Sequence, residues 1–158
     1  MGAYRPTRNI ETSTKDFLTT QINANFTNVN VYSDFAEVSG NNLPAVTVTS
    51  GIPIHNRVGL GSFATSRDAL LLIDVFANDA GFLKDLTDFL VGILKKSWNY
   101  NEYTVTNHVS SSTTAGKLVC KSIQSAPVNL GVNKSDLDKV DRNRSLITIV
   151  VTNGKVEA

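Results

Sequence analysis

The stretch Arg67-Asp-Ala-Leu-Leu-Leu-Ile-Asp-Val-Phe-Ala77, together with residues 82–96 that follow it, decides the fold. The first part is apolar at most positions apart from Asp74, which predicts a central strand covered on both faces. In the second part, apolar side chains recur at helical spacing over about four turns. They are Phe82, Leu83, Leu86, Phe89, Leu90, Ile93 and Leu94. Asn78 or Asp79 can cap this element. The sequence therefore predicts a strand, a short turn and a long amphipathic helix.

Further strands are predicted on both sides of this unit. Alternating or dense apolar residues mark residues 29–35, 45–49 with a continuation through Ile52 and Ile54, 103–109, 118–123 and 144–152. Residues 40–42 and the Ser/Thr-rich residues 110–116 are expected to form turns. Pro127 indicates that the far end of its strand lies at an edge of the sheet.

The N-terminal part predicts a second helix. Ser13 and Asp16 have the spacing of a capping box, and Phe17, Leu18, Ile22 and Phe26 follow at near-helical spacing. The predicted fold class is α+β: a single domain with a mixed or antiparallel β-sheet, packed by one long amphipathic helix and a shorter N-terminal helix. We expect an N-terminal arm at residues 1–10, the domain at residues 11–152 and a C-terminal tail at residues 153–158.

Composition and charge narrow the range of partners. The 158 residues include 16 Asn, 16 Thr and 14 Ser, and such a share of neutral polar residues is typical of a hydrogen-bonding, β-rich surface. The 15 basic and 14 acidic side chains leave a net charge of +1, so no electrostatic surface for nucleic acid or anionic membrane is indicated. No apolar run approaches the roughly 18 residues that a membrane helix needs.

The sequence predicts neither an enzyme nor a cofactor or metal site. Cys120 is the only cysteine and is expected to be a small, half-buried residue, and the two histidines, His55 and His108, fall on a loop and a strand. Gly59-Leu60-Gly61 lacks the third glycine and the following helix that a phosphate-binding loop requires.

Acidic side chains add no catalytic pair. Asp85 and Asp88 lie on the polar face of the predicted long helix, where exposure to solvent accounts for two carboxylates without a catalytic role. Asp74 interrupts an apolar strand, and burial of a carboxylate without a partner is costly. We expect a register that turns Asp74 toward solvent or an arginine, in preference to a catalytic role.

Two long polar connections, residues 55–66 and 129–143, are candidates for function. Antiparallel neighbours need only about two to five connecting residues, and longer loops are often functional or disordered. The first connection holds Arg57, Val58, Leu60 and Phe63. The second carries several charged residues, among them Asp136, Asp138 and Arg142.

The order of elements resembles the tail terminator proteins of long-tailed bacteriophages, also called tail completion or head-to-tail joining proteins. Three parts of the chain carry the likeness: the strand-turn-helix unit at residues 67–96, the closing Asp141-Arg-Asn-Arg-Ser-Leu-Ile-Thr-Ile-Val-Val151, and the opening helix followed by a modest strand, a proline and the strand at residues 45–49. The resemblance covers nearly the whole chain in order and length, and it rests on pattern without a signature motif.

The resemblance implies a structural virion protein of the tail or neck, synthesised in the host cytoplasm. Its expected partners are further copies of itself in a cyclic ring, typically a hexamer, the tail tube protein, and the head connector or head closure protein. DNA would pass through the lumen without specific binding, which suits the near-neutral charge. The contacts would then involve Arg57, Val58, Leu60 and Phe63 in the first loop. In the second they would involve Asp136, Asp138 and Arg142.

Two alternatives remain open. A head closure or tail tube protein would also be a small β-rich ring-former, although the long helix argues against a tube protein. A small ligand-binding domain or enzyme is the other class, and it requires a pocket with convergent polar groups.

Overall fold

The computed structural model describes residues 2–34, 37–38, 43–128 and 143–157. In chain order its elements are β1 (Gly2–Ala3), α1 (Pro6–Asn25), β2 (Asn30–Tyr32), β3 (Ala45–Ser50), β4 (Ile54–Arg57), β5 (Thr65–Phe76), α2 (Ala80–Leu94), β6 (Ser97–Thr106), β7 (Val109–Val128) and β8 (Arg144–Glu157). The strands of the described residues form one sheet in the order β1-β6-β7-β8-β5-β3-β2, and β4 also pairs with β5.

The sheet is mixed and the fold is α+β, as the sequence predicts. Strand β2 runs parallel to β3, whereas the other pairings are antiparallel. The central strand β5 pairs with β8 along most of its length and with β3 and β4 on its other side. Neighbouring strands pair with both of its edges, but Leu70 and Leu72 on one face are only half-buried, so the expectation of a strand covered on both faces holds only in part.

Both helices cover the same face of the sheet. One core cluster contains residues of α1, residues of α2 and alternate residues of the central strands, including Leu71 and Ile73 of β5 and Ile147 and Ile149 of β8. Alternate residues of a strand share one face, so both helices must lie on that face. A smaller cluster, centred on Phe76, lies on the opposite face.

Helix α1 corrects the expected N-terminal arm and the expected helix lengths. It begins at Pro6 and spans 20 residues, whereas α2 spans 15, so the N-terminal helix is the longer one. Proline fits the first turn of a helix because its missing N–H would have no partner there. Residues 6–10, assigned to an arm, are helical, and residues 2–3 form β1 on the edge of β6.

The expected capping box is also wrong. Ser13 and Asp16 lie in the second and third turns of α1, and Arg5 stands at the N-cap without a side-chain hydrogen bond. Ser13 Oγ accepts from the backbone N–H of Asn101 at 2.9 Å and donates to its carbonyl at 3.2 Å. Asp16 Oδ2 accepts from the Tyr103 hydroxyl at 2.5 Å. Both side chains therefore join α1 to β6.

Helix α2 occupies nearly the predicted residues. Asp79 is its N-cap, and its carboxylate accepts from the backbone N–H groups of Gly81 and Phe82. These hydrogen bonds lower the pKa of Asp79. The predicted stripe faces inward: Leu83, Leu86, Leu90 and Leu94 are buried, while Phe82, Phe89 and Ile93 pack at the border of the core.

Three strand boundaries differ from the sequence prediction. Strand β7 begins at Val109 and includes the whole Ser/Thr cluster expected as a turn; the turn is formed by Asn107 and His108, which have φ of 51° and 65°. Strand β8 continues through Glu157, so the expected C-terminal tail is strand up to that residue. The strand expected at residues 29–35 is confined to Asn30–Tyr32 in the described part. The turn expected at residues 40–42 lies outside the described residues.

Candidate functional site

The connection expected at residues 55–66 is a hairpin with a shorter loop. Strand β4 pairs antiparallel with the start of β5, from Ile54 opposite Asp68 to Arg57 opposite Thr65. The loop itself is residues 58–64. It is held by backbone hydrogen bonds from Val58 N–H to the Ala64 carbonyl at 3.1 Å and from Ser62 N–H to the Gly59 carbonyl. Gly61 has φ of 79°, a conformation that favours glycine.

This hairpin loop exposes its apolar side chains. Leu60 is fully exposed, Phe63 is 88% exposed and Val58 is 56% exposed. Together with exposed Arg57, they are the first four contact residues proposed from the sequence, and the structure brings them to one projecting tip. A group of exposed apolar side chains is a candidate contact surface, because their exposure to water costs free energy.

Other exposed apolar side chains occupy the same half of the sheet. Among the described residues they are Ile52, Ile54, Val109, Val119 and Val156. Ile54, Val119 and Val156 lie level with the first residues of β5, through their pairings with Asp68, Thr152 and Ser66. Val109 follows the turn of the β6–β7 hairpin. This hairpin points in the same direction as the β4–β5 hairpin, because β6 runs opposite to β5. We call this half of the sheet, with the two hairpin tips, the apolar end.

Sequence reasoning finds only part of the apolar end. It singles out Val58, Leu60 and Phe63 because they fall in a long connection with glycines. It passes over Ile54 and Val109, since an apolar residue within a strand pattern reads as core, and over Val156, which falls in the expected C-terminal tail. Only the strand pairing shows that these positions extend beyond the area that the helices cover.

Several charged side chains at the apolar end are paired with one another. Arg67 binds Glu157 through Nε at 3.0 Å and Nη2 at 3.2 Å. Lys121 Nζ lies 2.8 Å from Asp68 Oδ2, and Lys155 Nζ lies 3.1 Å from Glu102 Oε1. The exposed Lys155–Glu102 pair contributes little to stability, about 0–1 kcal/mol. The pairs neutralise the charges that they join, whereas Arg57 at the hairpin tip is exposed and belongs to none of them.

The carboxylate of Asp74 forms an ion pair with an arginine. Arg144 donates to Asp74 Oδ1 from Nε at 3.0 Å and from Nη2 at 2.8 Å. The guanidinium also lies over the Phe76 ring at 5.4 Å. This pair joins β5 to β8 where Phe76 pairs with Arg144, at the end of the sheet opposite the apolar end. The expectation of an arginine partner for Asp74 is confirmed.

The nucleophile and base candidates do not converge. His55 lies on β4, where Nδ1 is 3.8 Å from Glu157 Oε2 and 3.5 Å from Thr65 Oγ1, whereas His108 lies at the turn of the other hairpin. Burial raises the pKa of the Cys120 thiol, which disfavours the thiolate. In the described ranges no cluster of three or more His, Cys, Asp or Glu side chains could hold a metal ion.

A groove of about 600 Å³ lies at the opposite end from the two hairpin tips. Its walls are the first turns of α2 and the adjoining ends of β7 and β8, and Leu83, Ala126 and Pro127 make it largely apolar. Lys84 and Asp88 lie on the helical wall. This is the pocket that a ligand-binding hypothesis would use.

The remaining predicted contact residues, Asp136, Asp138 and Arg142, lie outside the described residues, as does most of the connection at 129–143. Within the described part of the chain, no helix combines the length and hydrophobicity needed to span a lipid bilayer.

Comparison with known proteins leaves the chain without an assigned family. A scan against protein-family models finds no match, and a search of curated proteins finds none either.

Proposed function

We propose that the protein is a structural subunit of a bacteriophage virion, a tail terminator. Copies of it form a ring at the head-proximal end of the tail tube, end tube polymerisation and join the tail to the head connector. The single observation that carries the proposal is the apolar end, where Leu60, Phe63 and their neighbours project into solvent.

The arrangement suits a subunit that binds along an axis. Both projecting hairpins and the exposed apolar side chains lie at one end of the sheet, so a layer stacked on that end would bury them together. Burial of apolar area contributes about 25 cal/mol per Å². A heterologous contact between identical neighbours then closes a ring around that axis.

The charge distribution supports the same function. The net charge is +1, and ion pairs near the apolar end join Arg67 to Glu157, Lys121 to Asp68 and Lys155 to Glu102. A collar through which DNA slides gains from weak phosphate contact, since each neutralised phosphate adds affinity. A head closure protein would share these features, and binding to tube ends distinguishes the two functions.

The proposal is tested first on virions. Particles assembled without this protein should have tails of uncontrolled length or tails detached from heads, as seen by electron microscopy. Uniformly finished tails joined to heads would exclude the proposed function. Binding to the head connector without binding to tail tubes would favour a head closure protein.

The apolar end is tested separately with the double variant Leu60→Ser/Phe63→Ser. Both side chains are exposed, so we expect an unchanged thermal midpoint and a loss of attachment to tube ends or to heads of at least about tenfold. Lys84→Ser, an exposed change on α2, is the control and should attach normally. Normal attachment of the double variant would place the contact elsewhere while leaving the ring function standing.

A further inference from the structure

Strand β7 has an edge that the described strands leave unpaired. Its first half, from Val109 to Val119, pairs with β6, and its second half, from Val119 to Val128, pairs with β8 on the other side. The first half therefore keeps an edge facing away from β6. The side chain of Lys155 lies against Gly116, and a bulge at Ala115 interrupts the register with β6, so the regular open stretch is residues 110–114.

Hydrogen bonds made by β6 show which backbone groups of β7 point outward. Tyr103, opposite Ser112, donates its N–H to Asn9 Oδ1 at 3.2 Å and accepts at its carbonyl from the Tyr4 N–H at 3.0 Å. Asn101, opposite Thr114, binds Ser13 with both its N–H and its carbonyl.

These two β6 residues turn their backbone groups away from β7, as in the non-hydrogen-bonded pairs of an antiparallel ladder. Their partners Ser112 and Thr114 must direct their own N–H and carbonyl groups to the open edge. Ser110 does so by the same alternation.

Within residues 110–114 the open edge lacks the usual protection against strand pairing, and a bulge at Ala115 ends this stretch. Natural edges carry lysine, proline or bulges that discourage an incoming strand. Residues 110–114 are Ser-Ser-Ser-Thr-Thr, all exposed and uncharged. By contrast, the unpaired edge along the second half of β7 contains Lys121 and Pro127. The difference points to a partner strand on residues 110–114.

We propose that this edge pairs with the same edge of a second copy, antiparallel and about a twofold axis through Ser112. The outward-facing groups then match: Ser112 lies opposite Ser112, and Ser110 lies opposite Thr114. Self-pairing places like residues together, which is unfavourable for charges but favourable for Ser and Thr, whose hydroxyls hydrogen-bond across strands.

The exposed part of the β6–β7 hairpin, here called the ribbon, also favours a second copy over an unrelated strand. A two-stranded ribbon is marginally stable alone in water. Helix α1 supports this ribbon up to Tyr103, and residues 106–114 are exposed beyond it. Pairing two copies places β1, β6 and β7 of each side by side, so six strands become adjacent without requiring any other protein.

This contact is distinct from the heterologous one that would close a ring. It concerns free subunits and does not depend on the proposed function. Its area is small, so we expect a weak dimer with a dissociation constant in the micromolar range or above.

Cysteine cross-linking tests the register. Ser112→Cys in a Cys120→Ser background places two thiols on residues with Cα atoms about 5.5 Å apart, within disulfide range. Under mild oxidation we expect a disulfide-linked dimer as the main product. Ser110→Cys in the same background is the matched control: its two copies lie about 13 Å apart in this register and should remain largely unlinked.

The combination Ser110→Cys/Thr114→Cys should restore cross-linking, because those residues face each other. Equal cross-linking of the Ser110 and Ser112 variants, or none at Ser112, would overturn the proposal.

Sedimentation of the unmodified protein gives an independent measurement. We expect the mass to rise from one toward two subunits with concentration. Ser112→Pro should keep the folded monomer, because the lost N–H points outward, and should abolish the concentration-dependent rise. A protein that remains monomeric up to about millimolar concentration, or a proline variant that still dimerises, would refute the twofold contact.

Discussion

Single polar residues of α1 have partners that a local reading of the sequence cannot identify. Ser13 and Asp16 match a capping box because the pattern concerns neighbours in the chain. Their hydrogen bonds instead reach Asn101 and Tyr103, more than eighty residues away. Thr14 also receives a hydrogen bond from the Trp98 indole at 3.1 Å. The spacing of Ser13 and Asp16 thus predicts a helix that exists, but these residues do not cap it.

Tyr103→Phe tests the link between α1 and β6. We expect a loss of about 1 kcal/mol in the free energy of unfolding at neutral pH, since a partly buried hydrogen bond to a carboxylate is removed. Burial and the hydrogen bond to Asp16 raise the pKa of Tyr103, so the folded state holds this proton more tightly than the unfolded state.

The Tyr103 contribution should therefore be complete below about pH 10 and decline as pH rises above the ordinary pKa of tyrosine. Urea unfolding of both proteins at neutral and alkaline pH measures this effect. A stability difference between them that grows with pH would contradict it.

Among the elements, α2 and β5 could be predicted and the ends of α1 and β7 could not. Strong periodicity and the Asp79 cap define α2 locally. Helix α1 begins at Pro6 without a side-chain cap at Arg5, and Thr19 and Thr20 donate to carbonyls four residues earlier, so its sequence carries weak local signals. Residues 110–114 resemble a turn by composition, and only their pairing with β6 makes them a strand.

Leu86→Ala tests the packing of α2 on the sheet. Leu86 is completely buried, and deletion of such a side chain leaves a cavity, so we expect a loss of about 2–5 kcal/mol in the free energy of unfolding. Lys84→Ala, an exposed change on the same helix, should alter it by no more than about 0.5 kcal/mol. Denaturant midpoints measure both. An unchanged midpoint for Leu86→Ala would mean that the stripe is not core.

At the scale of the molecule, the sequence predicts one α+β unit but does not predict which end of the sheet exposes apolar side chains. Which apolar residues remain exposed depends on how far each strand extends past the helices that cover the sheet. Ile54 and Leu71 are similar in character, yet the first is 58% exposed and the second is fully buried. The apolar end is thus a property of strand pairing, and periodicity alone could not identify it.

The apolar character of this end predicts how attachment to the tail tube responds to salt. Electrostatic contacts between exposed charges weaken as the Debye length falls from about 10 Å at 0.1 M to about 3 Å at 1 M, whereas apolar burial is little affected. Apart from Arg57, the charged side chains that flank this hairpin, Arg67, Asp68 and Glu157, are paired within the subunit, so the contact should depend mainly on apolar area. We therefore expect the fraction of capped tubes to change less than about twofold between these salt concentrations.

Counting capped ends in micrographs measures this fraction, with the Leu60→Ser/Phe63→Ser variant as the background. A fall of tenfold or more at high salt would show that attachment is electrostatic, and the apolar end would then not be the principal contact.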